Sequence, residues 1–484
     1  MNILKSASWV FSRVIFIQLL NIISISIIAR IITPEAFGLV AIATIIITFL
    51  NNICIQGVSH YVIYDKNLCD KKFNSIFWLN IVITFIICVL GFISSKYVSI
   101  FYNEPELELI INILLLKIPL ESIISLLDSS INKKLEFKIL EKRDIYSQFL
   151  SVLMSIILAL AGYGIWALIL PSVIVAFIRL PITFYISKWK PKMNFYVVYW
   201  KEIFSYSYKV ISNIIIYFLT SEGDTLIIGK IMGSYKLGVY NISWRASNLV
   251  SRNIVSLVNK LAFPYIAKST HDNFETISKL NKIFRHISLI SFPILFLLFV
   301  LADNFILAIY GSQWHESIIP FQILIIYAIR YSVGAPIGPF LNAIGKPEIL
   351  TKMGLIMIPF YIIAILIGTS YGIIGVAIAV TFVRTIFGFG FFFILSKILK
   401  THVLSFFKEM QSSFLVSLIT CTIIFIIKLL FEDFLSDNHL INLSVLSILA
   451  SLIYYILIKT FFKDIFSDIK LVLNKIYIKN LNQN

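Results

Sequence analysis

Runs of about twenty apolar residues, separated by short polar segments, set the pattern of this chain. They fall near 8–31, 37–60, 76–95, 109–131, 145–161, 165–187, 203–228, 237–263, 282–310, 317–343, 352–369, 373–396, 412–431 and 441–461. Each is close to the roughly 20 residues that a helix rising ~1.5 Å per residue needs to cross a bilayer. The pattern predicts an all-α polytopic membrane protein of about fourteen helices. The largest outer connection, 96–108, is too short to fold as a domain.

Four of the runs carry polar stripes. On 237–263, Asn241, Arg245, Asn248, Arg252, Ser256 and Lys260 recur every three or four residues, which puts them on one helical face. Lys209, Asn213, Tyr217, Thr220 and Asp224 do the same on 203–228. Milder stripes run through Thr44, Thr48, Asn52, Gln56 and Ser59, and through Arg13, Gln18, Asn21 and Ser24. A charge at the centre of a spanning helix costs on the order of 2.5–3.5 kcal/mol, so these faces are expected to line protein or a wet cavity. Arg245 and Arg252 have no acid on their helix, and the field they leave wants an anion. Together with Arg13, Asn241 and Asn248 they form the expected substrate-binding set. Asp224, at the outer end of its stripe, is expected to meet a partner on another helix or to titrate, and with Lys209 to couple or gate transport. Lys117 and Glu121, four residues apart, are expected to neutralise one another, and Arg384 and Lys428 to snorkel to an interface.

The chain also repeats itself. ARIITPEAFGLVA, from Ala29 to Ala41, aligns with GKIMGSYKLGVYN, from Gly229 to Asn241, with Ile31 facing Ile231 and Gly38 facing Gly238. Tyr163-Gly164-Ile165 returns as Tyr371-Gly372-Ile373, and Ile131-Asn132 as Leu341-Asn342. Two similar halves joined near 188–205 follow. The expected divisions are a six-helix lobe at 1–195, a second at 196–400, and a further helix pair with a basic tail at 401–484. Six helices per repeat is an even number, so both lobes sit the same way up, related by a pseudo-twofold along the membrane normal.

Composition agrees, with 59% hydrophobic and 14% charged residues. The net charge of +16 does not point to nucleic acid, because the basic residues cluster in short connections between apolar runs. With the N-terminus inside, Lys133, Lys134, Lys138, Lys142, Arg143, Lys188, Lys190, Lys192 and the tail from Lys459 lie on the inner side. Arg30, Lys96, Lys230 and Lys236 lie outside. Both termini are therefore expected to be cytoplasmic. Glu104, Glu106 and Glu108, and Glu432, Asp433 and Asp437, make two outer connections acidic. Residues 1–32 read as the first membrane helix, since the apolar run is too long for a signal peptide. Cys54, Cys69, Cys88 and Cys421 have no metal-ligand spacing, and there is no glycine-rich phosphate loop or paired His and acid. No catalytic residue, metal or cofactor is expected.

Several segments together resemble a known family: TPEAFGLVAIAT from Thr33, FYNEPEL from Phe101, LEFK from Leu135, YGIWALI from Tyr163, DTLIIGKIMGSYKLGVY from Asp224, YGSQW from Tyr310 and LNAIGKP from Leu341. The chain resembles the oligosaccharide flippases of the polysaccharide transporter type, grouped with the multidrug and toxin extrusion transporters and the lipid II flippase. The resemblance implies a two-lobed bundle, with helices 1, 2, 7 and 8 lining a cavity, that rocks between inward-open and outward-open states. Its substrate would be a polyprenyl-diphosphate-linked oligosaccharide crossing the bacterial inner membrane, with membrane lipids and a polysaccharide polymerase or other export components as partners. Many members carry an acid where this chain has Ile55, so coupling through that position is not expected. A multidrug or organic-cation exporter of the same fold is the alternative, but it would prefer an acidic, aromatic cavity. A membrane-embedded glycosyltransferase or polymerase would need the large outer loop that is missing.

Overall fold

The computed structural model describes residues 17–18, 20–65, 68–133, 137–193, 196–267, 272–431 and 438–461. Arg13, the acidic connection 432–437 and the basic tail beyond Phe461 lie outside them. So do the side chains of Gln56, Lys209, Asn213, Tyr217 and Lys260. Among the described residues there is no strand.

The helices are α1 (Leu20–Ile31), α2 (Pro34–Tyr64), α3 (Asp70–Tyr102), α4 (Glu106–Leu115), α5 (Lys117–Lys133), α6 (Phe137–Leu160) and α7 (Trp166–Ser187). After them come α8 (Trp200–Ala267), α9 (Asn273–Val300), α10 (Ala302–Ile309), α11 (Ile318–Val333) and α12 (Ile337–Ala343). The last four are α13 (Glu348–Thr369), α14 (Gly372–Leu399), α15 (Val403–Leu430) and α16 (His439–Phe461). Eleven stretches of the described residues are helical, long and apolar enough to cross a membrane; α8, which carries two polar stripes, is not among them. The protein is a multi-pass, all-α membrane protein, because backbone polar groups can be satisfied within a helix in lipid.

Helix α8 is two arms, 200–232 and 234–267, broken at Gly233, whose φ of 81° and ψ of 175° suit glycine. The arms double back. The Tyr240 hydroxyl reaches the Asp224 carboxylate at 2.7 Å, whereas sixteen residues of straight helix would hold the two about 24 Å apart. The two apolar runs 203–228 and 237–263 are thus separate segments and not one straight helix. At the aligned position of the first repeat, Thr33 caps α2 and Pro34 occupies its first turn, a helix start that needs no donor from proline.

Contacts divide the chain into two compact units, Met1–Asn241 and Ile242–Asn484. The division falls inside the second arm of α8, whereas the sequence repeat joins near 188–205. In the first unit α2 packs on α4 and α5, and α7 on α5 and α6. Its connections gather at two ends. Lys230 donates to the carbonyl of Phe101, and Tyr102 to that of Leu226 at 3.3 Å, joining connections assigned outward by their charge. Those assigned inward meet as well: Lys72 bridges Asp65 (2.7 Å) and Glu202 (3.1 Å), and Asn74 and Trp78 donate to the carbonyl of Lys192. Here the Tyr61 hydroxyl, followed by Lys72, holds the Glu202 carboxyl below the usual carboxylate range. Burial, aided by Glu202, pushes Tyr61 up to about 12.

In the second unit α9 packs on α11 and α15, and α14 on α11 and α13. Phe284, Phe340, Phe392 and Phe406 fill its core. The C-terminal pair is integral to this unit, because Tyr454 donates to the carbonyl of Leu289 and Lys428 grips Asp303 at 2.6 and 2.7 Å.

Candidate functional site

The α8 hairpin positions most of the candidate residues. Asp224 is 1% exposed, and its carboxylate accepts from the Tyr240 hydroxyl at 2.7 Å and from the Thr225 amide at 2.9 Å. Its partner therefore stands on the other arm. Tyr240 was absent from the sequence expectation, because the stripe rule groups residues on one helix and this bond joins two.

At the same turn the two repeat motifs meet each other. A Cβ on Gly38 would overlap the Ser234 carbonyl, and a Cβ on Gly238 would overlap the Pro34 carbonyl. In the alignment Pro34 corresponds to Ser234 and Gly38 to Gly238. The contact is thus reciprocal, the geometry of a local twofold, in which each motif offers a glycine to the other's first helical turn.

On the second arm the polar stripe separates by exposure. Arg245, Arg252, Ser256 and Asn259 are exposed, whereas Asn241 and Asn248 are buried. The Asn248 amide donates to the Trp244 carbonyl at 2.9 Å, and the Asn241 side-chain oxygen is buried with no hydrogen-bond partner among the described residues. Arg252 lines a cavity of about 410 Å³ with Val255, Ser256, Asn259 and Tyr331. Among the described residues no hydrogen bond, ion pair or ring contact engages Arg252. Tyr331 and Asn259 were not in the expected set, although the i, i+4 spacing of Tyr327 and Tyr331 is visible in the sequence. The milder stripe of α2 is open at Thr44 and Thr48 and closed at Ser59, whose hydroxyl accepts from Ser125. Asn21 of α1 accepts from Gln148.

Several other charges in the helices are tied down, whereas the Arg330 Nε is buried with no hydrogen-bond partner among the described residues. Lys117 and Glu121 pair at 3.2 Å, as expected, and Asn51 donates to the same carboxylate. Lys428, in the last turn of α15, pairs with the partly exposed Asp303. Arg384 does not snorkel. It is buried, donates to the Tyr361 hydroxyl at 2.6 Å, and lies 4.8 Å from the Trp244 and Tyr361 ring centres. Arg143, placed by the sequence in a connection, is inside α6 and forks onto Asp128 with two 2.7 Å bonds while also reaching Asp144 and Thr183. Among the described residues no cluster of His, Cys, Asp and Glu suits a metal.

Residues 27–319, which include both motifs and all of α8, match the family model described as polysaccharide biosynthesis protein. The chain belongs to this family. Among its relatives is the succinoglycan biosynthesis transport protein ExoT of Rhizobium meliloti (strain 1021), 24% identical over 340 residues, covering 70% of this chain and 68% of the relative. Another is the lipopolysaccharide biosynthesis protein WzxC of Escherichia coli (strain K12), 24% identical over 393 residues, covering 79% of this chain and 78% of the relative. Among solved structures, the lipid II flippase MurJ in an inward closed conformation is similar with a TM-score of 0.75 and 16% identity, covering 94% of this chain and 98% of that one. At that identity the likeness speaks for the fold.

Proposed function

We propose that the protein is an alternating-access flippase that carries a polyprenyl-diphosphate-linked oligosaccharide from the cytoplasmic to the outer face of a bacterial inner membrane, for surface polysaccharide synthesis. The observation that carries this reading is Arg252: an exposed cation, unpaired among the described residues, on a polar helix face, lining a cavity in a chain of the polysaccharide biosynthesis protein family. A diphosphate and its sugars need a hydrated cationic path, while the polyprenyl tail stays in lipid. The name of one relative, a succinoglycan biosynthesis transport protein, supports translocation over catalysis. A cation exporter would find in Arg245 and Arg252 a repulsive wall.

In this reading Arg245 and Arg252, with Arg13, hold the diphosphate, and Asn241 and Asn248 shape the face beside them. Asp224, with Lys209, gates the hairpin turn. The reciprocal contact of Gly38 and Gly238 supports two six-helix lobes, 1–195 and 196–400, related by a pseudo-twofold, with 401–484 as an added pair and tail. Both termini are cytoplasmic. A polysaccharide polymerase and other export components are the partners downstream.

The test is surface glycan measured against membrane protein level in the Arg245→Ala, Arg252→Ala double variant. The expected result is loss of export with normal insertion. Full export by the double variant refutes the cationic path.

A further inference from the structure

The cavity at Arg252 is bounded by the end of an aromatic column. Trp244 and Tyr327 stack with ring centres 5.5 Å apart and planes 11° from parallel, and Tyr327 and Tyr331 follow at 5.6 Å and 27°. The first two rings are buried, at 8% and 5% exposure; Tyr331 is half-buried and lines the cavity. The guanidinium of Arg384 lies 4.8 Å from the Trp244 ring and 5.3 Å from the Tyr327 ring and helps hold the column. A rigid aromatic ring with two side-chain torsions loses little entropy when it meets a ligand. The cavity therefore offers a ring from α11 and, from α8, a hydroxyl, an amide and a guanidinium unpaired among the described residues. Its volume of about 410 Å³ is within the range of small-molecule pockets, roughly 300–1,000 Å³, and so suits one part of a large substrate.

We propose that this cavity is a sugar-phosphate subsite, in which Tyr331 stacks on the first pyranose ring after the diphosphate while Arg252 holds the adjoining phosphate. A pyranose has one face of C–H bonds and a rim of hydroxyls. The face suits the electron-rich ring of Tyr331, and the rim suits Ser256 and Asn259. The guanidinium binds phosphate oxygens through paired donors. This rests on the flippase reading and goes beyond it, because it makes the first sugar, and not the diphosphate alone, something the protein recognises. Tyr331 is then a specificity residue and Tyr327 a positioning residue behind it.

The experiment compares two probes on the purified full chain: farnesyl diphosphate, and the same lipid carrying glucose, galactose or N-acetylglucosamine. Wild type is expected to bind at least one sugar-bearing probe about fivefold tighter than the bare one, the scale of a single ring contact. Tyr331→Phe keeps this preference. Tyr331→Ala and Tyr331→Leu abolish it, and Arg252→Ala weakens both probes. A preference that survives in Tyr331→Ala, or equal binding of all probes by wild type, overturns the sugar subsite and leaves the cationic path standing. If wild type binds no probe, both readings fall. Thermal unfolding of each variant identifies any loss of binding that comes from loss of fold.

Discussion

Arg143 and Arg252 are both arginines in a membrane protein, yet one is locked in ion pairs and the other is exposed beside a cavity. The Arg143 side chain is 2% exposed and locked between Asp128 and Asp144, so Arg143→Ala leaves a carboxylate facing an empty, partly buried space. Breaking such a pair costs about 3–5 kcal/mol, and the expected outcome is a sharp fall in membrane protein level, read by immunoblot, with export falling in step. Arg252 has no such partner, so Arg252→Ala should insert at wild-type level and lose export by about ten- to a hundredfold, the scale of one charge-assisted bond to substrate. Arg252→Lys, which keeps the charge and loses the fork, should retain part of the activity. Periodicity made Arg252 legible, because a stripe reports a face. It did not show that Arg143 is helical, because α6 starts at Phe137, eight residues before its apolar run, and its first two turns read as a charged connection. A helix that extends beyond the bilayer loses the hydropathy signal before it loses its hydrogen bonds.

The α8 hairpin shows what a repeat can and cannot reveal. Matching Gly38 with Gly238 identified equivalent positions; that the equivalents touch each other is tertiary information carried by the backbone approach at Ser234 and Pro34. Since the contact is reciprocal, Gly38→Ala and Gly238→Ala should have the same effect. Each places a Cβ against a carbonyl, at about 1–3 kcal/mol for overpacking, and each should oppose closure of this end and reduce export in a glycan assay. Gly338→Ala, where nothing lies within 4 Å, is the control and should export normally. The Asp224–Tyr240 bond belongs to the same element. Tyr240→Phe removes the donor from a buried carboxylate at about 1–3 kcal/mol, and is expected to lower protein level or export. Asp224→Asn keeps an acceptor for Tyr240 but cannot carry a charge. If it transports like wild type at every pH, Asp224 clasps the hairpin and takes no part in coupling.

Orientation is a property of the whole chain, and the structure supplies half of the argument for it. The connections that charge assigns to one side do meet one another: 61–75, 128–133 and 187–202 through Lys72, Lys133 and Asn74, and 30–34, 101–105 and 226–238 through Lys230, Tyr102 and the paired glycines. Alternation is therefore built into the first unit. Which end faces the cytoplasm comes from the positive-inside bias alone. The chain carries its own reporter, since Cys69 is a free, exposed thiol at the end assigned inward, while Cys54 and Cys421 are buried and Cys88 is partly so. Intact cells should give no labelling at Cys69 with a membrane-impermeant maleimide and full labelling once the membrane is permeabilised. On a background lacking the four native cysteines, Asn103→Cys, at the exposed cap of α3, should label from outside, and Lys138→Cys, exposed on the second residue of α6, only from inside. Both sites stand a few residues from ends whose partners are fixed by hydrogen bonds, so each reports for its whole end of the first unit. Labelling of Lys138→Cys in intact cells would invert the orientation assigned to the first unit.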